Sequence, residues 1–567
     1  MQILFNPRKP DFSKLDEKTK KKLLNTIEFF EKKGKKKLKE DELNRVFYDD
    51  FLEFQKNEKL FATFMTPKGY GAEDSRWDSY RNCYFSEVLG FYGLAYWYTW
   101  QVSMLGLGPL FMSKNEKLKH RTAKYLDEGG IFAFGLSEKE HGADLINSEM
   151  MLEDKGNGKY VANGKKYYIG NGNKAALVST FGKIKGTKNF VFFAVESGHK
   201  DYKLIKNVVP SQNYVSEYHL ENYEITDDDI IAKGRDAWDA SLSTVAFCKY
   251  NLGWASVGIA THAFYEAINH ASKRKLYGDY VTAFPHIKQL FMDGYLRLVS
   301  MKLFTLRASD YMRAASEEDR RYLLYNPMVK MKVTVQGENV IDLIWDVIAA
   351  KGFERDMYFE TAAREIRGLP KLEGTVHVNM VLINQFMENF LFNSKEYPEL
   401  PERNDLSDDT FLFNQGATSK GAKTVVFHDY KKAYGLYNTE NIKIFLEQVE
   451  EFKKFLKETP PSKEQSKDLD FMLSFGEIFT LIPYGQLILE RAHILGMDSV
   501  LINRIFDVLV RDFSKYAIEV YSKASTTPEQ MKNALNLVRK PAPDNGEFEK
   551  VLGEYVYSLK DQYEMNP

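Results

Sequence analysis

The sequence predicts an α+β protein: an N-terminal helical domain, a small central β-barrel or sandwich, a helical bundle, and an additional C-terminal helical domain. Three observations predict it. Short strand-like runs crowd between about residues 130 and 240, with turn residues every ten or so positions. On both sides of them apolar residues recur at helical spacing. A polar break from Asn393 to Asp409, carrying Pro398 and Pro401, then sets off a last helical stretch. The expected domains are residues 1–130, 131–240, 241–395 and 410–567.

Length and composition fit this plan. A chain of 567 residues exceeds one hydrophobic core. Its 78 basic and 79 acidic side chains leave a net charge of −1, so no global bias points to nucleic acid or an anionic membrane. Two distant cysteines, Cys83 and Cys248, are too few for a disulfide framework and suit a reducing, cytoplasmic setting. The start has no basic segment leading into an apolar core, so no signal peptide is expected. No uninterrupted apolar run approaches the roughly 20 residues of a membrane span.

Taken in order, residues 16–40 are lysine-dense, but Leu23, Leu24, Ile27, Phe29 and Phe30 recur at helical spacing among interleaved acids. That is an amphipathic helix with a solvated face rather than a nucleic-acid arm. Residues 80–128 remain helical, with aromatics crowded between Phe91 and Trp100. Asn157-Gly158 and Asn163-Gly164 are hairpin signals. The strand-like runs are Tyr160–Ala162, Tyr167–Ile169, Leu177–Phe181 and Phe190–Val195. Helical periodicity returns near Trp238 and persists to about residue 395. In the last domain Ile442, Phe445, Leu446, Val449, Phe452, Phe455 and Leu456 form one stripe, and a second helical run spans Ile478 to Tyr521. Residues 395–567 hold 22 basic and 28 acidic side chains, which is not a DNA-binding surface.

Five motifs in order carry a family resemblance: Phe134-Gly135-Leu136-Ser137-Glu138 with Gly142-Ala143-Asp144; Asn163 to Gly172; Arg274-Lys275-Leu276-Tyr277-Gly278; Arg364-Glu365; and Leu369 to Thr375, containing Glu373-Gly374-Thr375. In this order and spacing, from about residue 60 to 395, the chain resembles the acyl-CoA dehydrogenase family. The last helical domain is similar to that of very-long-chain dehydrogenases and acyl-CoA oxidases.

The resemblance implies FAD-dependent α,β-dehydrogenation of an acyl-CoA thioester. Removing an α-proton while a hydride leaves the β-carbon requires a base and an electron sink, and no side chain can be the sink. Glu373 matches the family's base; burial beside apolar neighbours raises a carboxylate's basicity. Its alternative is a surface Glu before a helix cap. Where some members carry the base instead, this chain has Cys248, which cannot replace a carboxylate. Lys249 matches a basic residue near the family's active site, and Trp97 and Met104 fall where the acyl pocket is lined. Core packing is the alternative for each.

For FAD the resemblance implies Phe134, Leu136 and Ser137 along the ring, with the Ser137 hydroxyl at the pyrimidine or N5 edge. Tyr168 and Gly170 match a second flavin strand, Ala143 a phosphate contact, and Thr375 follows the base. Arg274 and Tyr277 match the Arg and Phe that reach a partner subunit's flavin, which implies a homodimer; an Arg fork suits a diphosphate. Asp346 stands where Gln is usual, and Ala349–Phe353 replaces a glycine-rich turn near the adenosine. The sequence also departs at Tyr168, where Trp or Phe is usual, and at Gly170 and Ala143, where hydroxyl residues are common.

Look-alikes fail. Gly416 to Thr424 mimics a phosphate loop, but an extra residue separates Gly421 from Lys423. Ten histidines show no HExxH or paired-ligand spacing, so no metal site is expected. Electrons are expected to pass to an electron-transfer flavoprotein, in the manner of fatty-acid β-oxidation. The alternatives are an acyl-CoA oxidase using O₂, or a non-catalytic, scaffolding or DNA-protective member of the same fold.

Overall fold

The computed structural model describes residues 3–415 and 422–567. The segment Gly416–Gly421, most of the phosphate-loop look-alike, lies outside the described residues. Six helices come first: α1 (Glu17–Leu43), α2 (Asp49–Asn57), α3 (Leu60–Met65), α4 (Ser79–Tyr92), α5 (Leu94–Met112) and α6 (Glu116–Asp127). In α1 the residues Leu23, Ile27 and Phe30 are buried while Lys18, Lys21, Lys32, Lys36 and Lys37 face outward; Lys39 is buried and pairs with Glu360 at 2.6 Å. Gly34 breaks this helix at φ +75°, where the carbonyls of Asn566 and Pro567 run against it and Lys35 N donates to Asn566 O at 2.7 Å.

Eight strands follow: β1 (Ile131–Gly135), β2 (Met151–Gly156), β3 (Lys159–Gly170), β4 (Ala175–Ile184), β5 (Phe190–Val195), β6 (Tyr202–Asn207), β7 (Val215–Thr226) and β8 (Ile230–Lys233). They form one sheet in the order β6-β7-β3-β2-β4-β5-β8, with β1 also on β4. The central β-module is thus one mixed sheet of parallel and antiparallel pairs. β1 pairs in parallel with Ala175–Thr180 and β2 in parallel with Lys183–Ile184, end to end along one edge of β4. Asn157-Gly158 does turn β2 into β3, with φ of +53° and +70°. Asn163-Gly164 does not turn the chain: it is a bulge inside β3, opposite β7, and the Asn163 carbonyl oxygen Oδ1 accepts from Asn222 N at 2.8 Å.

Next come α7 (Arg235–Cys248), α8 (Asn251–Lys273), the hairpin β9 (Lys275–Leu276) and β10 (Asp279–Tyr280), and α9 (Pro285–Arg313), α10 (Tyr322–Met328), α11 (Thr334–Ile348), α12 (Tyr358–Glu365), α13 (Val376–Asn384) and α14 (Met387–Phe392). A π-helical turn, Val329–Val333, joins α10 to α11. α8 is the axis of the core: Gly258 lies against the backbone of α4, and Gly90 of α4 against Ala255, an approach only glycine permits.

The chain ends with α15 (Phe411–Asn414), α16 (Lys431–Tyr434), α17 (Glu440–Glu458), α18 (Leu469–Ile494), α19 (Ser499–Ser522), α20 (Pro528–Leu535) and α21 (Asn545–Val551). The single helical run expected over Ile478–Tyr521 is two helices, because Gly496 at φ +61° ends the first. Among the described residues one helix, α18, is long and apolar enough to cross a membrane, and 83% of its apolar window is buried inside the protein. Forked arginine pairs bind these helices to the bundle: Arg297 to Asp512 at 2.7 and 2.8 Å, and Arg511 to Asp293 at 2.7 and 3.0 Å. The polar break is pinned as well, since buried Asp409 meets Arg313 at 3.2 Å and accepts from Ser79 N at 2.6 Å.

Candidate active site

Glu373 sits on the turn that leads into α13. Glu373 and Gly374 both have left-handed φ, +52° and +86°. The first costs about 1–3 kcal/mol for a side-chain-bearing residue and survives only if its surroundings impose it. Thr375 caps α13, its hydroxyl oxygen accepting from Val378 N at 3.4 Å. The residue as a whole is partly exposed, but its Oε2 is closed to solvent and has no hydrogen-bond partner.

Four elements converge on this carboxylate. From α5, Gln101 Nε2 donates to Glu373 Oε1 at 2.7 Å and to Cys248 O at 3.2 Å. From the end of α7, buried Lys249 lies within electrostatic reach and donates to Asn379 Oδ1 at 3.0 Å. From the π turn, buried Lys330 donates to Pro370 O at 2.6 Å and Gly374 O at 2.5 Å. From α13, Asn379 Nδ2 donates to Gly374 O at 3.1 Å and Thr375 O at 3.0 Å. Burial pushes the Glu373 carboxyl up to about 7, against the opposing pull of Gln101, Lys330 and Lys249. Burial equally pushes Lys330 down to about 7 and Lys249 to about 8.

The sheet meets this cluster through Tyr98. A Cβ at Gly170 would stand 2.7 Å from Tyr98 Cε1, 2.9 Å from its hydroxyl and 2.9 Å from Val102 Cγ2. The departure at position 170 therefore has a steric reason: the phenol fills the space a side chain would take. Tyr98 lies within electrostatic reach of both Tyr168 and Glu373, and its hydroxyl has no partner among the described residues.

The segment along β1 is rigidly held. Buried Lys166 donates to Leu136 O at 2.9 Å and pairs with buried Glu138 at 2.8 Å. Ser137 Oγ donates to Tyr167 O at 2.8 Å, so the hydroxyl proton expected to face a flavin is already committed to β3. Phe134 stacks on Phe192 at 6.0 Å. Tyr168 is left-handed at φ +68° and half exposed. Asn171, fully buried, ties β3 to α5 and β1 through Thr99 O and Phe132 O at 3.1 and 3.0 Å.

Trp97 and Met104 are fully buried on the same α5 face as Gln101, and Met104 Sδ accepts from Asn251 Nδ2 at 3.1 Å. Ala143 and Asp346 are exposed. Arg274 and Tyr277 stand at the β9–β10 hairpin, where Tyr277 is 98% exposed. Among the described residues none of these four bonds to the Glu373 turn. Arg364 pairs with Glu42 at 2.7 Å and Glu360 at 3.3 Å. The trio Glu138, His141 and Glu149 could bring ligand atoms within 4.8 Å, but Glu138 is already taken by Lys166, Ser148 and two backbone N–H groups. A crevice of about 1060 Å³ lies at the opposite ends of α5 and α7, between Met112 and Ala240, and carries none of this chemistry.

Sequence reasoning missed Gln101, Lys330, Asn379 and Tyr98. One signal was legible: lysines 330 and 332 interrupt an otherwise apolar run from Met328 to Val333. Gln101 falls at helical spacing between the two α5 residues singled out, which places it on their face.

A helical layer, a mixed sheet and a helical bundle meeting at one buried carboxylate define an acyl-CoA dehydrogenase-type fold. Residues 237–388 match the family model described as acyl-CoA dehydrogenase, C-terminal domain. A probable acyl-CoA dehydrogenase of Mycobacterium bovis is 24% identical over 349 residues, 58% of this chain and 85% of that protein. A cyclohex-1-ene-1-carbonyl-CoA dehydrogenase of Geobacter metallireducens is 22% identical, over 49% and 74%. Among solved structures, an acyl-CoA dehydrogenase complexed with FAD from Bacillus anthracis superposes with a TM-score of 0.71 at 16% identity, covering 98% of this chain and 97% of that one. Butyryl-CoA dehydrogenase from Megasphaera elsdenii gives 0.58 at 18%, covering 65% and 97%. The chain thus shares the fold of an acyl-CoA dehydrogenase over nearly its whole length, and residues 237–388 match that family's C-terminal domain.

Proposed function

We propose that this protein is an FAD-dependent acyl-CoA dehydrogenase in which Glu373 takes the α-proton of the thioester. The observation that carries this is the state of its carboxylate: Oε1 is held by Gln101, while Oε2 is dry and unpartnered. A buried oxygen without a partner is costly in a resting protein, and a reacting C–H placed against it gives it a use. Its raised pKa makes it a stronger base while leaving a large anionic fraction at neutral pH.

The residues present fit FAD. Ser137, whose carbonyl accepts from Tyr167 N at 3.1 Å, keeps its backbone N–H for a ligand, and the free Tyr98 hydroxyl lies against Gly170. When bound, the flavin supplies the acceptor for the β-hydride. Lys166 and Glu138 hold the Leu136–Ser137 edge in place, and Trp97 and Met104 exclude water on the Gln101 face. Exposure of Tyr277 at 98% and Phe353 at 70% supports a homodimer in which Arg274 and Tyr277 complete the flavin site of a second copy. An electron-transfer flavoprotein is the proposed acceptor; hydrogen peroxide formation on the same acyl-CoA would instead mark an oxidase.

The test is anaerobic titration of the purified flavoprotein with acyl-CoAs of several chain lengths. Bleaching of the flavin absorption is expected with wild type and none with Glu373→Gln, whose flavin stays bound. Bleaching of that variant at the wild-type rate removes Glu373 as the base.

A further inference from the structure

The turn that bears Glu373 has two consecutive left-handed residues and must be imposed by its neighbours. Gln101 holds only the side chain. The backbone is held from beneath, and the principal hold comes from Lys330. Its amine bridges Pro370 O and Gly374 O, one carbonyl on either side of Glu373. The helix reaches it by departing from α geometry: Lys330 lies in the π turn Val329–Val333, a local irregularity of the kind that gathers at functional sites. Two positions on, Lys332 is also buried but turns to Tyr516 and Glu477 in the last helices. The π turn thus aims one lysine at the last helices and the other at the Glu373 turn.

Resting on the proposed role of Glu373, we infer that Lys330 is a positioning residue: its amine fixes the Pro370–Gly374 backbone so that the carboxylate faces the site, and its positive charge favours the carboxylate's anionic form. A deprotonated amine keeps two N–H groups for the two carbonyls, so the mechanical hold outlasts the charge. The charged groups facing Lys330 are Glu373, Lys249 and Lys371, which lies on the same turn, and Glu338 of α11. Gln101 and Tyr98 of α5 and Cys248 of α7 face Glu373 from the other side. Burial brings Glu373 and Lys330 to nearly the same pKa, so the two titrate as a pair.

The experiment compares holoprotein with Lys330→Met, Lys330→Gln and Asn379→Ala. It reads the anaerobic bleaching rate against pH and, without substrate, the infrared band of the protonated Glu373 carboxyl, assigned by difference against Glu373→Gln. Lys330→Met should slow bleaching by about 100-fold, as a misplaced reacting group does. It should also raise the carboxyl midpoint by about one unit, since a nearby cation is lost. Lys330→Gln keeps an N–H donor and should show the same midpoint shift with a smaller rate loss. Asn379→Ala removes the other donor to Gly374 O and with it the acceptor of Lys249, so it is read for rate alone and should slow bleaching. Wild-type rate and midpoint in both Lys330 variants overturn the inference; a slowed rate with an unmoved midpoint in both overturns its electrostatic half. Should a Lys330 variant fail to fold, Lys330→Arg, which keeps donors and a charge that does not titrate, must leave the midpoint at or below the wild-type value, and a raised midpoint overturns the electrostatic half. If wild type does not bleach, or Glu373→Gln does, the functional reading fails instead, whatever Lys330 does.

Discussion

The side-chain amide of Gln101 donates to Glu373 across 272 residues of sequence, at 2.7 Å. One bond thereby ties helix α5 to the turn that leads into α13. It stabilises the anion, and so opposes the burial that makes the carboxyl weakly acidic.

Replacing Gln101 by Leu removes that donor and keeps the volume apolar. The Glu373 pKa then rises further, so the alkaline-rising limb of the bleaching rate moves to higher pH. At pH 7 the rate should fall about tenfold, as expected for a lost hydrogen bond to a charged group. Stopped-flow bleaching between pH 6 and 9 measures it.

Glu373 also makes stability depend on pH. Its folded-state pKa, about 7, lies above the usual 4.5, so between these values the folded state binds more protons than the unfolded one. Stability therefore falls as pH rises through that window, by at most about 3 kcal/mol. Lys330 is shifted the other way, from 10.5 to about 7, and its contribution returns as pH rises above 7. Glu373→Gln should melt higher than wild type at pH 8, with the difference vanishing below pH 4.5. Calorimetry across pH gives the answer.

Gly170 has no room for a side chain while Tyr98 stands against it. Gly170→Ser alone should cost about 1–3 kcal/mol by overpacking and lower flavin content. The double variant with Tyr98→Ala should recover both. Thermal unfolding and the flavin-to-protein absorbance ratio report the two effects.

Lys166 and Glu138 form a buried pair under Leu136. Lys166→Met leaves Glu138 unpaired in the interior, with an expected cost of about 3–5 kcal/mol. Glu138→Gln in the same chain should restore part of it. Denaturant unfolding of the single and double variants separates the pair from the packing.

Arg274→Ala should weaken flavin retention while leaving Glu373 intact. If the hairpin serves a second copy, refolding that variant together with Glu373→Gln should yield mixed dimers with activity that neither parent has. Unmixed activity levels in the mixture would assign the hairpin elsewhere.

Much of the frame was legible in the chain. Helical spacing in residues 16–40, strand runs such as Phe190–Val195 and the Asn157-Gly158 turn depend on neighbours a few residues apart, which the sequence displays directly. Where a local signal served two purposes it misled: Asn163-Gly164 has the composition of a turn, but β7 lies alongside and converts it to a bulge. The polar break around Asp409 looks like a loose linker, and only burial beside Arg313 and α4 shows that it is anchored.

By itself the sequence determined the order of layers, a family resemblance, and a short turn with a carboxylate worth attention. Only the tertiary structure decided what that carboxylate meets: Gln101 from one helix, Lys330 from a π turn that no spacing rule announces, and Tyr98 standing where Gly170 leaves space. The reason is physical. Backbone periodicity is set by bonds and sterics within a few residues, whereas the partners of a buried charge are chosen by packing among segments that meet only when the whole chain has folded.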